Sequence, residues 1–180
     1  MKQLEGTKTE QNLREAFAGE CMAHCKYSYY AQKAKADGYV QIGKIFEETA
    51  SNEREHAEIW FKLLHNSQMP ATEQNLPDAA SGEHYEWEDM YSRMARESRE
   101  EGFEHIAFLF DSVAKIEKEH EERFRKLIGN LSQGIVFSRD GDTVWICTNC
   151  GHIVFGKTPP EVCPVCSHPK AYFEIKAQNY

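Results

Sequence analysis

Of the eight histidines in this 180-residue chain, two have a glutamate three positions earlier, at Glu53–His56 and Glu117–His120. Positions three apart share one face of a helix, so each pair directs a carboxylate and an imidazole at one point. The pairs lie 64 residues apart (120 − 56), and the same shift superimposes residues 31–64 on 95–128. Ala31, Gly38, Ile42, Phe46, Ala50, Glu55, Lys62 and Leu63 then also meet identical residues. Two such pairs, with a glutamate from each of two more helices, make the ligand set of a dinuclear carboxylate metal site. Mixed oxygen and nitrogen donors suit iron or manganese better than calcium, which takes oxygen alone. Metal-based redox chemistry is therefore the expectation.

A second metal signature follows. Cys147-Thr-Asn-Cys150 and Cys163-Pro-Val-Cys166 are separated by 12 residues. Paired Cys-x-x-Cys turns each point two thiolates inward and together form a tetrahedral four-sulfur cage. The spacing alone divides evenly between a redox-inert zinc and an electron-carrying iron. Its attachment to a dinuclear redox site favours iron, zinc remaining an option in an isolated sample.

Helices must position the first set of groups. Along residues 9–130 apolar residues recur at steps of three and four, the pattern of helices that pack a bundle core. Each seam is interrupted near its middle by the same chemistry: Glu20 and His24, then Glu53 and His56, then Glu83 and Glu86, then Glu117 and His120. Gly38 and Gly102 suit the left-handed position just past a helix end, which leaves almost no loop and makes two antiparallel hairpins. Residues 66–75 (NSQMPATEQN) read as an irregular connection. Ten residues reach at most about 36 Å, enough to run the length of a bundle. Two tight hairpins joined by one long crossover is the ferritin-like topology. The expected fold class is mainly α: a ferritin-like four-helix bundle over 1–130, then a small metal-binding β/loop domain over 131–180. In that second part Gly134, Gly141, Gly151 and Gly156, with Pro159, Pro160, Pro164 and Pro169, mark turns between short strands.

The seams place Glu20, Glu53, Glu83, Glu86 and Glu117 in the core, where an ionised carboxylate costs several kcal/mol unless something compensates it. Protonation can rescue one of these crowded carboxyls but not all. Two metal cations would compensate them and use both imidazoles. Tyr27 and Tyr91, near the ligand faces, read equally as hydrogen-bond partners of the ligands or as packed core tyrosines. His24, one turn from Glu20, reads as a polar edge residue. Cys21 and Cys25 read as small, half-buried helix residues.

With 21 Lys+Arg against 29 Asp+Glu, the net charge of −8 argues against a nucleic-acid or anionic-membrane surface. The longest apolar run, Ile106 to Phe110, is far too short to span a bilayer. MKQLEGTKTEQN lacks an apolar signal core, so the expected location is the cytoplasm. No Gly-x-Gly-x-x-Gly fingerprint occurs, so reduced nicotinamide would act only through separate partners.

AFAGE around Glu20, EREH at 53–56, GEHYEW at 82–87, REEGF at 99–103 and EKEH at 117–120 resemble the rubrerythrin family. CTNCG…CPVCSHPKAYFE resembles that family's rubredoxin-like module, and the resemblance covers nearly the whole chain. It implies a cytoplasmic non-haem di-iron peroxidase that reduces hydrogen peroxide to water in oxidative-stress defence. By resemblance, Glu53 and Glu117 bridge two irons, and Glu20, Glu83, Glu86 and His120 are terminal ligands. One iron moves between His56 and Glu86 as the oxidation state changes. Cys147, Cys150, Cys163 and Cys166 hold the single iron that feeds electrons in, received from a rubredoxin or an NAD(P)H-dependent reductase. A head-to-tail homodimer is also implied, one subunit's rubredoxin centre lying close to the partner's di-iron site. Cys21, His24 and Cys25 depart from the family pattern. The alternative is a ferroxidase or iron-buffering ferritin-like protein. The four-cysteine module argues against it, because depositing ferric iron needs no external electron supply.

Overall fold

The computed structural model describes residues 3–177. In chain order these form α1 (Lys8–Ala36), α2 (Val40–Leu64), α3 (Thr72–Tyr85), a π-helical turn (Glu86–Met90), α4 (Tyr91–Glu100) and α5 (Glu104–Ser132). Strands β1 (Thr143–Cys147) and β2 (Ile153–Gly156), a 3₁₀ turn (Lys170–Tyr172) and β3 (Phe173–Ile175) follow. Residues up to Ala71 make one unit and those from Thr72 a second. The domain boundary expected at 130/131 falls just before α5 ends at Ser132.

In the first unit, Thr7 caps α1 by accepting from the Glu10 N–H at 3.1 Å, and Glu10 reaches back to the Gly6 N–H at 2.8 Å. Such reciprocal capping satisfies donors that a helix start leaves free. The helix stops at Gly38, whose φ of 90° only glycine adopts readily, and the Tyr39 N–H closes the turn on the Ala34 carbonyl at 2.8 Å. A Cβ at Gly38 meets open space, so Gly38→Ala is expected to lose about 1 kcal/mol through backbone strain alone. Urea unfolding of the full chain measures this. Small residues line the contact between α1 and α2: Ala31 and Ala34 on one side, Gly43, Ala50 and Ala57 on the other, all buried. A Cβ at Gly43 would come within 3.1 Å of the Ala31 carbonyl oxygen, so the backbones approach closely there.

The second unit repeats this hairpin. Gly102 has φ 83°, and the Phe103 N–H bonds the Ser98 carbonyl at 2.8 Å. Ala95 and Ala107 are fully buried where Ala31 and Gly43 sit in the first hairpin. Tyr27 packs on Phe46 with centroids 6.0 Å apart, and 64 residues on Tyr91 packs on Phe110 at 5.9 Å. The ion pair Lys35–Glu47 recurs as Arg99–Asp111, a duplication of chemistry that residue identity does not reveal.

Two expectations need correction. The connection read at 66–75 is shorter: α2 ends at Leu64, and α3 already starts at Thr72. Glu73, Gln74 and Asn75 form a polar helical turn, which composition does not distinguish from a loop. The third helix also does not follow a single 3.6-residue seam. Across Glu86–Met90 the chain is π-helical, the Tyr91 N–H bonding the Glu86 carbonyl five residues back. The Ser92 hydroxyl likewise bonds the Trp87 carbonyl at 2.8 Å. One extra residue is thereby inserted in the helix, and the period shifts beyond Glu86.

The strands form an antiparallel sheet of order β2-β1-β3. Its core is Trp145, Cys147, Cys163 and Phe173. Two similar knuckles carry the cysteines: Gly151 N–H bonds Cys147 O at 2.8 Å, and Ser167 N–H bonds Cys163 O at 2.9 Å. Both Gly151 and Ser167 take a left-handed conformation, with φ of 76° and 60°.

Candidate metal centres

Within the first unit, α1 supplies Glu20 and α2 supplies Glu53 and His56, with one ligand atom from each lying within 4.8 Å of the others. His56 Nδ1 is 2.9 Å from Glu53 Oε2 and 3.8 Å from Glu20 Oε1. The second unit repeats the set with Glu83 of α3 and Glu117 and His120 of α5. His120 Nδ1 is 2.7 Å from Glu117 Oε2 and 3.5 Å from Glu83 Oε2. Both histidine–glutamate pairs are the i,i+3 pairs read from the sequence. The carboxylates are not in a dry core as expected, their side-chain exposure running from 14% at Glu117 to 26% at Glu20. Within each hairpin only two helices shield each triad.

Glu86 lies outside the second triad but close enough for its charge to act on Glu83 and Tyr91. Burial pushes the Glu83 carboxyl up, and the charge of Glu117 adds to this against the opposing pull of His120. Burial likewise raises the Tyr91 hydroxyl, followed by the charges of Glu86, Glu117 and Glu83, which favours its protonated form. Tyr27 is placed by ring contacts to Tyr30 and Phe46. His24 stands apart from the triad, its Nδ1 2.8 Å from the Ala50 carbonyl across the hairpin. Cys21 is half-buried and burial pushes its thiol up, which keeps it protonated and unreactive. Cys25 is exposed, contrary to the half-buried expectation. It sits on the outer side of α1, a distinction that helical spacing of four does not make.

The sequence reading missed Glu121. Among the described residues it is the buried charged one, 5% exposed. Burial pulls its carboxyl up, yet hydrogen bonds from Trp87, His84 and Arg125 outweigh this and hold it at about 2. A glutamate directly after His120, in a run of charged residues, looks like a solvated face. The signal available was its register with Ala57 of the first hairpin, a buried position.

In the strand module, Cys147 and Cys166 Sγ atoms are 3.7 Å apart, as are those of Cys150 and Cys163. Four thiolates at about 2.3 Å from a tetrahedral ion lie roughly 3.8 Å from one another, so the cage has the dimensions of a metal site. The backbone N–H of His168 draws the Cys166 thiol down to about 6 against the pull of burial. Cys150, though it also receives a backbone bond from His152, is pushed up to about 12 by burial and by its thiol neighbours. One thiol is therefore poised to deprotonate first, and metal binding would displace the remaining protons. Both donor sets fit the ions expected: oxygen and nitrogen in the helices, sulfur alone in the knuckles.

Helical hairpins bearing duplicated glutamate–histidine triads, followed by a four-thiol knuckle module, define a protein with two chemically distinct kinds of metal-binding cluster. The rubrerythrin family model matches residues 11–128, and the model of the rubrerythrin rubredoxin-like domain matches 145–174. The chain belongs to the rubrerythrin family. It is 45% identical to rubrerythrin-1 of Clostridium acetobutylicum and 46% identical to rubrerythrin of Nitratidesulfovibrio vulgaris, each alignment covering all of both chains. Nigerythrin of the latter organism is 33% identical, over 92% of this chain and 85% of its own. The fold class is the expected one: mainly α, the helices of a ferritin-like four-helix bundle with a small rubredoxin-like module after them. Rubrerythrins are peroxidase-type oxidoreductases of oxidative-stress defence with a di-iron site and a rubredoxin-like iron site. They react with peroxide and use rubredoxin-type partners. Among the described residues no helix is long and apolar enough to cross a membrane.

Proposed function

We propose that this protein reduces hydrogen peroxide to two waters, consuming two electrons and two protons. The observation that carries the reading is two glutamate–histidine pairs in 64-residue register (120 − 56), each joined by a further glutamate, followed along the chain by a four-thiol cage. Glu20, Glu53 and His56, together with Glu83, Glu86, Glu117 and His120, are the residues that would hold the iron. Two ferrous ions, when bound, supply the electrons and the Lewis acidity that split the O–O bond. A carboxyl near the irons would carry a proton to the departing oxygen. Tyr91 offers a hydroxyl that orients the neighbouring carboxylates; Tyr27 stands at the matching position of the repeat. Cys147, Cys150, Cys163 and Cys166 would hold an iron able to pass on electrons received from a rubredoxin or an NAD(P)H-dependent reductase. The working form is a cytoplasmic homodimer of chains divided near residue 130 into a di-iron domain and a rubredoxin-like domain.

Anaerobically reduced, iron-loaded protein tests this. A small excess of peroxide should reoxidise the helical irons on the stopped-flow timescale and, once the four-cysteine iron has also given up its electron, restore the ferric–thiolate colour. A rate no faster than that of a Glu53→Ala/Glu117→Ala variant would sink the proposal.

A further inference from the structure

Glu83 and Glu86 lie three apart, and so do His84 and Trp87, the residues that follow each of them. On α5 the same offset separates Glu117 from His120, and Lys118 from Glu121. A second row of side chains therefore runs beside the row of candidate ligands, and its members bond one another across the two helices. Glu121 Oε2 receives Trp87 Nε1 at 2.5 Å and lies 3.0 Å from His84 Nδ1. Glu121 Oε1 receives Arg125 Nε at 2.6 Å. Lys118 Nζ sits 5.2 Å from the Trp87 ring centroid, and the His84 ring meets that indole edge-on at 5.2 Å. Both carboxylate oxygens are committed, and the indole is held at its N–H, face and edge.

The row straddles the junction between α and π geometry. His84 belongs to the last turn of α3 and Trp87 to the π turn. A π turn returns to α by moving its extra residue along the helix, which would rotate the side chains around it. Fixing one residue on each side of the junction to a single buried carboxylate prevents that slip. The first hairpin has no such arrangement: where Glu20 answers to Glu83, the residue that follows it is Cys21 in place of His84, and Ala57 stands for Glu121. That hairpin has no π turn and one carboxylate from its first helix rather than two. Burying a glutamate costs several kcal/mol before its partners offset it, and an apolar residue packs a helix contact as well. Packing alone does not account for it.

We infer that Glu121 is a positioning residue, which through Trp87 and His84 locks the π turn and so fixes Glu86 relative to Glu83, Glu117 and His120. This rests on the ligand assignment above. Full-length protein with its four-cysteine site filled is titrated anaerobically with ferrous iron. Equilibrium dialysis then gives the two helical dissociation constants for wild type, Trp87→Phe, Glu121→Gln, Glu86→Ala and Trp87→Phe/Glu86→Ala. Trp87→Phe keeps an aromatic ring at the helix contact while removing the N–H together with the five-membered ring that carries it, so it complements Glu121→Gln, which leaves the indole in place. Each of these two variants should weaken one ferrous site by about 10–100-fold. In the Glu86→Ala background Trp87→Phe should add nothing further, because the two changes act on one ligand. Wild-type constants in both variants overturn the inference. So does an equal fold-loss with and without Glu86, the result of a purely structural clamp. Wild-type constants in Glu86→Ala alone would instead remove the ligand assignment, and the inference with it.

Discussion

Cys163→Ser is expected to unfold the 143–175 module and to abolish catalytic turnover while sparing a single turnover. Cys163 is 1% exposed and shares the module's core with Trp145, Cys147 and Phe173. A core that small does not stabilise a domain by itself. In comparable metal knuckles the ion contributes on the order of 10 kcal/mol, so the metal and the fold stand or fall together. Serine offers a poor ligand and leaves a cage of three thiolates. The ferric–thiolate absorption should vanish, and Trp145 should become accessible to a fluorescence quencher. Steady-state peroxide reduction through an added reductase should fall by at least about 100-fold, because the internal relay is gone. Stopped-flow reoxidation of pre-reduced helical irons should stay within about twofold of wild type, as single-turnover kinetics isolate that step. Unimpaired steady-state turnover would mean that electrons enter elsewhere.

The second large effect is an inversion of sign. In the metal-free protein, Glu53→Ala/Glu117→Ala should be at least as stable as wild type; with ferrous iron it should be much less stable. The Glu83 carboxyl is pushed up by burial and then by Glu117, so these two neighbouring carboxylates destabilise one another without a cation. Losing the 2.7 Å and 2.9 Å contacts to His120 and His56 offsets only part of that relief, since both imidazoles remain accessible to water. Iron reverses the balance. A ligand at 1,000 times its dissociation constant stabilises the folded state by about 4 kcal/mol, and the double variant forfeits this. Thermal melts with and without ferrous iron, the four-cysteine site filled in both proteins, give the comparison. An equal upward shift in the two would show that these glutamates do not hold the metal.

Much of this was legible because the relevant signals are periodic and local. A glutamate and a histidine three apart share a helix face wherever the helix sits, so both pairs could be read before any fold was known. Duplication strengthened them, since an accidental pair does not recur in register with Gly38/Gly102 and Phe46/Phe110. The Cys-x-x-Cys knuckles are equally local, their geometry set by turns in which Gly151 and Ser167 adopt left-handed backbone.

What the sequence determined by itself is the set of chemical groups, their pairing three residues apart, and the division into helical hairpins and a strand module. What only the tertiary structure decided is how those groups are backed. The π turn at Glu86–Met90 arises from a hydrogen-bond choice, five residues back instead of four, that no composition signals. Glu121 reads as a surface charge until a neighbouring helix brings Trp87 and His84 to it. Burial and hydrogen bonding across helices depend on contacts between segments more than 30 residues apart, and a pattern within one helix carries no trace of them.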